Sequence, residues 1–419
     1  MKVVGNLATQ FAPPFSLVLH YFIGGFVFHL ISMFSLYLYS EGFELSFLSF
    51  PYAFLTHLFL LGYVMMIIFG ALYQLIPVAL EVPIFSFSLG YLQFYLYLTG
   101  IIFFTLSLFN VNLSVMLIGA VFVFLSFLIF GFNFFMSVKN LENFSITAKF
   151  LISATVSLLI GAFIGVFMVL NFIYGFYAGN IENLVYAHII FTLFGFVFMV
   201  IMGVAIVLLP MFSLSHKFKD SYLKLSFFIM LFAVFGGGVS IILLQNSFIY
   251  YTVFLIVVSA TVLYLLQVYE IYSKRGRRIR DIGIDTMFAS HLFLVVFIVS
   301  LLLTPFSERF IFLSGFSFIF GFINFLIYGS MYKILPFLTW FHKFSNLVGK
   351  KKVPMLNDML PKRLPSYQIV ISFIGVTLLL AYLLKPLHFI FYIHTTMIVV
   401  GSILFIYINI YVLRFKGEE

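Results

Sequence analysis

Long runs of apolar residues without a charge recur from one end of the chain to the other. One of them, THLFLLGYVMMIIFGALYQLIP at 56–77, is long enough to cross the hydrocarbon core of a bilayer as a helix. Hydrophobic residues make up 64% of the 419 residues and charged residues only 8%, against about a quarter charged in soluble domains. Lipid offers no partner to a bare backbone N–H or C=O, so these runs must be helical. The sequence therefore predicts an all-α polytopic membrane protein, with 1–419 as a single integral membrane domain.

Glycine, proline, asparagine and charged clusters divide the chain into about twelve spans. We place these transmembrane helices at 14–40, 50–77, 86–109, 113–136, 149–177, 185–211, 223–244, 248–272, 284–305, 310–338, 367–384 and 387–414. Basic residues, including Arg277 and Arg278, collect in the loops after even-numbered spans, and only Arg309 and Lys385 fall on the opposite side. Because basic loops stay in the cytoplasm, we expect a multi-pass protein of the cell (inner or plasma) membrane with both termini cytoplasmic. The same bias explains the net charge of +9 without nucleic acid as a partner.

One spacing of glycine and proline occurs three times. The segments GYVMMIIFGALYQLIP, GFVFMVIMGVAIVLLP and GFINFLIYGSMYKILP begin at residues 62, 195 and 321, and all three fit Gly-x7-Gly-x6-Pro. The second glycines, Gly70, Gly203 and Gly329, are 133 and 126 residues apart, which is about four spans each. A fixed period of this kind predicts a repeated structural unit. We expect three pseudo-symmetric four-helix units at about 14–136, 149–272 and 284–414.

The glycines of this spacing have two interpretations. Glycines eight residues apart lie near one face of a helix and allow a close approach there. At Gly62 and Gly70 the approaching group is either a neighbouring helix or the flat face of a cofactor.

Seven of the nine histidines lie within predicted spans. They are His20, His29, His57, His188, His291, His388 and His394. An ionisable group inside a membrane is costly, so each is a candidate functional residue, with a hydrogen bond to a neighbouring helix as the alternative. His57 and His394 each lie about seven residues from the outer end of their spans, and His188 also lies in the outer third.

This common depth suggests a heme site. Two neutral imidazoles from facing helices can ligate the iron of a porphyrin within a helical bundle. We expect heme b with His57 as one axial ligand, His394 as the preferred second ligand on depth, and His188 in reserve. The chain has no cysteine, which excludes covalent c-type attachment and disulfides. Copper is our second choice of metal, because no thiolate or carboxylate lies at this depth to complete a ligand set.

The acidic residues argue against two classes of transporter. All 13 Asp and Glu residues fall at span ends, in loops or at the C-terminus. Proton pumps and ion-coupled carriers usually place a carboxylate near the middle of the membrane. We therefore do not expect proton pumping.

The chain resembles the catalytic subunit of the heme–copper oxidase superfamily, and most closely divergent cbb3-type proteins similar to subunit I. The resemblance rests on twelve spans in three four-helix arcs and on three segments, HLFLLGYVMMIIFGALYQLIP, AHIIFTLFGFVFMVIMGVAIVLLPMFSLSH and YGSMYKILPFLTWFH. By that likeness His57 matches the span-2 ligand of the low-spin heme, and His188 matches a span-6 copper ligand. The family's histidines of spans 7 and 10 are absent here. The resemblance therefore implies an oxidase scaffold without the complete oxidase centre.

Two functions remain open at this point. The first is a b-type heme-binding membrane protein that transfers electrons to or from a redox partner protein, binds a gas or handles heme; terminal oxidase activity is not expected. A five-coordinate heme near His188, with residual nitric oxide or oxygen chemistry, is a variant of this function. The alternative is a cofactor-free or copper-handling transporter or assembly factor.

Overall fold

The structure is a computed structural model that describes residues 12–39, 48–276 and 280–417. Within these ranges twelve helices are long and apolar enough to cross a membrane, and no β-strand occurs. They are α1 (Phe15–Tyr39), α2 (Phe50–Leu80), α3 (Phe87–Asn110), α4 (Leu113–Val138), α5 (Ile146–Tyr174), α6 (Ile181–Ser213), α7 (Ser221–Leu244), α8 (Phe248–Ser273), α9 (Ile282–Phe306), α10 (Arg309–Leu347), α11 (Leu364–Leu384) and α12 (His388–Arg414). The prediction of an all-α polytopic protein in a lipid bilayer is confirmed.

Most helices begin where a polar side chain accepts a backbone N–H. Such N-caps satisfy donors that the first turn of a helix leaves unpaired. They are Ser49, Ser86, Asn112, Ser145, Asn180, Asn246 and Asp281. Short polar residues between apolar runs therefore fix most of the helix starts.

The predicted helix ends agree with the structure to within four residues, with one exception. Helix α10 continues to Leu347, whereas its predicted end was 338. Pro336 lies inside this helix. A proline removes one backbone N–H donor, but the residues that follow it can remain helical. The predicted last residue of the first span, Ser40, and the basic residues Arg277 and Arg278 lie outside the described residues.

The chain forms two compact units. Unit 1 comprises 1–24, 48–61 and 65–277, and unit 2 comprises 25–47, 62–64 and 278–419. In unit 1, α3 packs against α4, α4 against α5, α5 against α6, and α7 against α8. In unit 2, α9 packs against α10, α11 against α12, and α10 against α12.

The first glycine of each repeated spacing lies in a π-helical segment. These segments are Leu60–Met65 with Gly62, Ile190–Phe198 with Gly195, and Ser317–Ile323 with Gly321. A fourth segment, Phe232–Gly237, lies in α7. A π-helical turn accommodates an extra residue and is frequent at functional sites. The repeated sequence thus corresponds to a repeated departure from α-helical geometry in α2, α6 and α10.

The second glycine of each spacing packs against the preceding helix. A Cβ atom at Gly70 would lie 2.8 Å from the ring of Phe22 in α1, and one at Gly203 would lie 2.5 Å from the Cβ of Phe150 in α5. A Cβ at Gly329 would lie 2.6 Å from the carbonyl oxygen of Gly283 in α9. These glycines therefore allow the first two helices of each four-helix repeat to cross closely.

The contact at Gly62 is of the same kind. A Cβ there would lie 2.7 Å from the ring of Phe28 in α1. The contacts described for Gly62 and Gly70 are thus those of helix packing.

A tyrosine–glutamine hydrogen bond is also repeated. Tyr73 donates to the Oε1 of Gln93 at 2.6 Å, and Tyr332 donates to the Oε1 of Gln368 at 2.8 Å. Both tyrosines follow the second glycine of their spacing by three residues, and both glutamines lie in the third helix of their repeat. The second repeat has Ile206 at the tyrosine position, so the packing is shared by three repeats and this polar pair by two.

The glycine crossing can be tested by a change in thermal stability. We expect Gly203→Ala to destabilise the protein by about 1–3 kcal/mol, because the new methyl group would overlap the Cβ of Phe150, which moves only with its helix. At Gly131 a Cβ would lie 3.2 Å from the flexible Cδ1 end of Leu159, so Gly131→Ala is the matched control. The midpoint of thermal unfolding in detergent should fall for Gly203→Ala and stay close to wild type for Gly131→Ala. Equal midpoints for the two variants would contradict this account of the crossing.

Candidate functional site

Two of the predicted site residues, His57 and His188, lie side by side in unit 1. Their ring centroids are 6.1 Å apart and the ring planes are inclined by 30°. His57 comes from α2 and His188 from α6, and both side chains are half-buried. The structure thus brings the reserve ligand, not the preferred one, next to His57 within this unit.

The imidazole of His57 is held by its own helix and by one aromatic ring. Its Nδ1 donates to the carbonyl oxygen of Ala53 at 2.7 Å. A carbonyl oxygen can only accept, so the proton lies on Nδ1 and Nε2 carries the lone pair. The ring of Phe104 in α3 meets the imidazole edge-on, with centroids 5.3 Å apart. These two contacts fix the tautomer and the orientation of His57.

His188 is held by the neighbouring helix α5. Its Nδ1 donates to the carbonyl oxygen of Gly161 at 2.8 Å, which again leaves the lone pair on Nε2. Gly165 stands one helical turn further along α5, and a Cβ there would lie 3.1 Å from the Cε1 of His188. Thr192, one turn after His188, donates to the His188 carbonyl at 2.6 Å. Small residues of α5 therefore make room for this ring.

Both imidazoles are arranged as metal ligands usually are. Histidine ligands generally donate the second ring N–H to a carbonyl or carboxylate, which orients the ring and raises its basicity. In the described part of the chain, neither His57 nor His188 has a hydrogen-bond partner on Nε2. Two lone pairs in a site of the membrane interior are thus available to a ligand.

The ring separation can be compared with that of two imidazoles bound to one ion. With metal–nitrogen bonds of about 2.0–2.1 Å and a nitrogen about 1.2 Å from the ring centroid, linear coordination would separate two centroids by about 6.5 Å. The observed 6.1 Å is close to that value. Across the described residues there is no group of three or more His, Asp or Glu side chains that could hold a metal ion. The pair by itself offers two protein ligands.

A π-helical segment follows each histidine. In α2 it begins three residues after His57, and in α6 it begins two residues after His188. Counted back from the first glycine of the spacing, the corresponding positions in α10 are Phe316 and Ser314. His57 precedes the first glycine of its spacing by five residues and His188 by seven, so the two histidines occupy different positions relative to the repeated glycine.

His394 lies in unit 2, in a different environment. It is fully buried, and its ring packs against those of Tyr382 and Phe391, with centroids 5.4 and 5.2 Å away. Its Nδ1 is 3.3 Å from the hydroxyl of Thr395, and its Nε2 has no hydrogen-bond partner within the described ranges. Because His57 and His394 belong to different units, their pairing stays a prediction.

Two other histidines of the spans have both ring nitrogens hydrogen-bonded. His20 is hydrogen-bonded to the carbonyl of Ser16 through Nδ1 at 2.7 Å and to the hydroxyl of Tyr95 through Nε2 at 3.3 Å. His29 is hydrogen-bonded to the hydroxyl of Ser402 through Nδ1 at 2.6 Å and to that of Tyr328 through Nε2 at 3.1 Å. Ligation by either residue would break an existing hydrogen bond, which sets them apart from His57 and His188.

No protein-family model matches the chain and no curated protein is significantly similar to it.

Proposed function

We propose that the protein is a b-type heme-binding membrane protein of the heme–copper oxidase superfamily that lacks a complete copper centre. The observation that carries this proposal is the His57–His188 pair, with both Nδ1 atoms held by backbone carbonyls and both Nε2 atoms without a partner. His57 and His188 would be the two axial ligands. The carbonyls of Ala53 and Gly161 would hold the imidazoles in the ligating tautomer.

The number of protein ligands favours heme over a bare ion. A porphyrin supplies four nitrogens to its iron, so two imidazoles complete the coordination. A structural zinc ion takes four ligands from the protein, and a catalytic zinc ion takes three. The half-buried rings are consistent with a ligand that reaches the pair from one side.

Bis-histidine ligation favours electron transfer among the roles considered for this site. Bound heme would supply a one-electron redox centre, and with His57 and His188 both bound to the iron it would have no open position for a substrate. Gas binding would require one imidazole to leave. We therefore propose electron transfer with a redox partner protein as the main role.

A reduced-minus-oxidised visible spectrum of the detergent-purified protein tests this proposal. We expect a sharp alpha band, with one heme per chain by the pyridine hemochrome assay. His57→Ala and His188→Ala should each remove or shift the band, because each deletes one axial ligand. His20→Ala is the matched control, since His20 lies in the same unit with both nitrogens engaged, and it should leave the band unchanged.

Three results would contradict the assignment. A colourless protein from heme-replete cells would end the heme proposal. A band unchanged in both variants would show that other residues ligate the iron. A band lost in His57→Ala and His394→Ala but kept in His188→Ala would favour the pairing predicted from depth.

Copper handling is the second candidate function. The supporting observation is the same pair, because two imidazoles can hold a monovalent copper ion, and imidazole suits copper as well as iron. Metal analysis of the purified protein separates the two candidates. Copper near one equivalent per chain, lost in His57→Ala and His188→Ala, without an alpha band, would favour copper handling over heme.

We also propose that the protein lies in the cell membrane with both termini in the cytoplasm. The support is the position of the basic residues after even-numbered helices and the preference of such loops for the cytoplasm. Green fluorescent protein fused to the C-terminus should fluoresce, and alkaline phosphatase fused there should be inactive. Fusions after Ser307, between α9 and α10, should give the opposite pair of results. The reverse pattern would invert the topology.

A further inference from the structure

The segment between α10 and α11, residues 348–363, combines basic side chains with exposed apolar ones. It contains one acidic residue, Asp358, and five basic residues. The basic residues, all of them exposed, are Lys350, Lys351, Lys352, Lys362 and Arg363. Met355 is 76% exposed and Val348 54%. Basic residues beside exposed apolar ones are the composition of segments that lie at a membrane surface.

This α10–α11 segment is held in place by the end of α10 and by its own turns. The indole N–H of Trp340 in α10 donates to the carbonyl oxygen of Pro354 at 2.9 Å. The side chain of Met359 is fully buried. The carboxylate of Asp358 accepts the backbone N–H of Met355 at 3.0 Å, which closes a short helical turn. The segment is therefore an ordered surface of unit 2.

The three consecutive lysines at 350–352, called the lysine run, have no counter-charge. None of their side chains makes a hydrogen bond or an ion pair with another described residue. In unit 1, by contrast, Lys224 pairs with Asp220 at 2.9 Å and Lys274 pairs with Glu270 at 2.7 Å. The lysine run is thus positive charge that is available to a partner outside the described chain.

The lysine run lies beside aromatic side chains at the end of a transmembrane helix. Trp340 is half-buried, and Phe337 is 46% exposed and stacks on Phe341 with centroids 6.2 Å apart. Aromatic residues in such places, tryptophan above all, are typical of the level of the lipid headgroups. The Cα atoms of Lys352 and Pro354 are at most about 7 Å apart, and Pro354 is the residue that Trp340 binds. The charge is therefore close to the expected membrane surface.

The choice of partner follows from the two kinds of side chain. Insertion of the chain with this end in the cytoplasm requires positive charge alone, and it does not account for the exposed Val348 and Met355. Anionic phospholipids offer phosphates to ammonium groups and acyl chains to apolar side chains. An acidic protein also offers negative charge, but lipid surrounds this end of α10 in any membrane, which favours the lipid.

We propose that the α10–α11 segment binds the headgroups of anionic phospholipids in the leaflet at which it emerges. The ammonium groups of the lysine run contact the phosphates, and Val348 and Met355 lie at the boundary between headgroups and acyl chains. This site involves neither His57 nor His188, so it is independent of the proposed heme. It is equally independent of the proposed topology, because the lipid is needed only on the side where the segment lies.

The test uses Trp340, which is the one tryptophan of the chain and reports on this segment without a label. The full-length protein is placed in nanodiscs of phosphatidylcholine and phosphatidylglycerol, and one of the two lipids carries brominated acyl chains, which quench tryptophan on contact. Exchanging the brominated lipid gives the relative binding constant of the anionic lipid near Trp340. We expect a preference for phosphatidylglycerol of at least about threefold at low salt. It should fall toward one at 1 M salt, where the Debye length is about 3 Å.

Two lysine variants test the assignment to this segment. The first replaces the lysine run: Lys350→Gln, Lys351→Gln and Lys352→Gln. The preference for phosphatidylglycerol should then fall to about one, because the phosphates lose their partners. The matched control removes the same charge from unit 1 and should keep the wild-type preference: Lys217→Gln, Lys219→Gln and Lys224→Gln.

A spin label tests the apolar part of the contact. The chain has no cysteine, so Met355→Cys creates a single labelling site. A nitroxide attached there should be more accessible to oxygen, which concentrates in lipid, than to a water-soluble nickel complex. Greater accessibility to the nickel complex would show that this position faces water and would contradict its insertion.

The quenching experiment can overturn the proposal in three ways. Equal binding of the two lipids by the wild-type protein would exclude a site for anionic lipid. A preference that survives replacement of the lysine run, or that is lost equally in the unit 1 control, would show that this segment does not cause it. Absence of quenching by either brominated lipid would place Trp340 and the α10–α11 segment away from the bilayer.

Discussion

The interior of a bilayer contains no water that could hydrogen-bond a polar group, and this constraint governs every polar side chain in the spans. Each such group must find a partner within the protein or bind something else. The histidines of the spans differ in how they meet this constraint. His20 and His29 use both ring nitrogens within the protein, whereas His57 and His188 use only Nδ1, and the Nε2 of His394 also has no hydrogen-bond partner within the described ranges. Of the histidines with an unused nitrogen, His57 and His188 have adjoining rings, and this adjacency supports the proposed ligand site.

The features that could be predicted from the sequence are those that are determined locally along the chain. Hydropathy and the breaks at glycine, proline, asparagine and charged clusters located twelve helices, because each helix satisfies its own backbone and its ends are determined locally. The predicted end of span 10 at 338 is wrong, because the helix contains Pro336 and continues to Leu347. Counting residues from a surface gives the position along the membrane normal and nothing about the lateral position, so depth alone could not show that the ring of His188 adjoins that of His57 in unit 1. The pairing of His57 with His394 stays a prediction.

The π-helical segments could not be predicted from the sequence, for a different reason. Ser317–Ile323 and Leu60–Met65 contain no residue type that distinguishes them from the α-helical turns around them. What the sequence does carry is the glycine inside each segment, and the threefold spacing of Gly62, Gly195 and Gly321 shows that the departure from α-helical geometry belongs to the repeat. Packing of the second glycine against the preceding helix is common to the three repeats. The polar residues set on this frame differ, with histidines in the first two repeats and the tyrosine–glutamine pair in the first and third.

The glycine packing is shared by the repeats, whereas the polar residues differ between them. This difference explains how one scaffold can hold two different kinds of polar cluster. In unit 1 a half-buried histidine pair offers lone pairs that the protein does not use, so its chemistry depends on a ligand that enters. In unit 2 the buried imidazole of His29 is hydrogen-bonded on both nitrogens, to Ser402 and to Tyr328, so the ring has no unused lone pair to offer a ligand. These groups are neutral, and the 13 acidic residues of the sequence lie at span ends or outside the spans. A carboxylate in the membrane interior would have to be desolvated or neutralised, whereas hydroxyl and imidazole groups satisfy one another by hydrogen bonds without placing a fixed ion there.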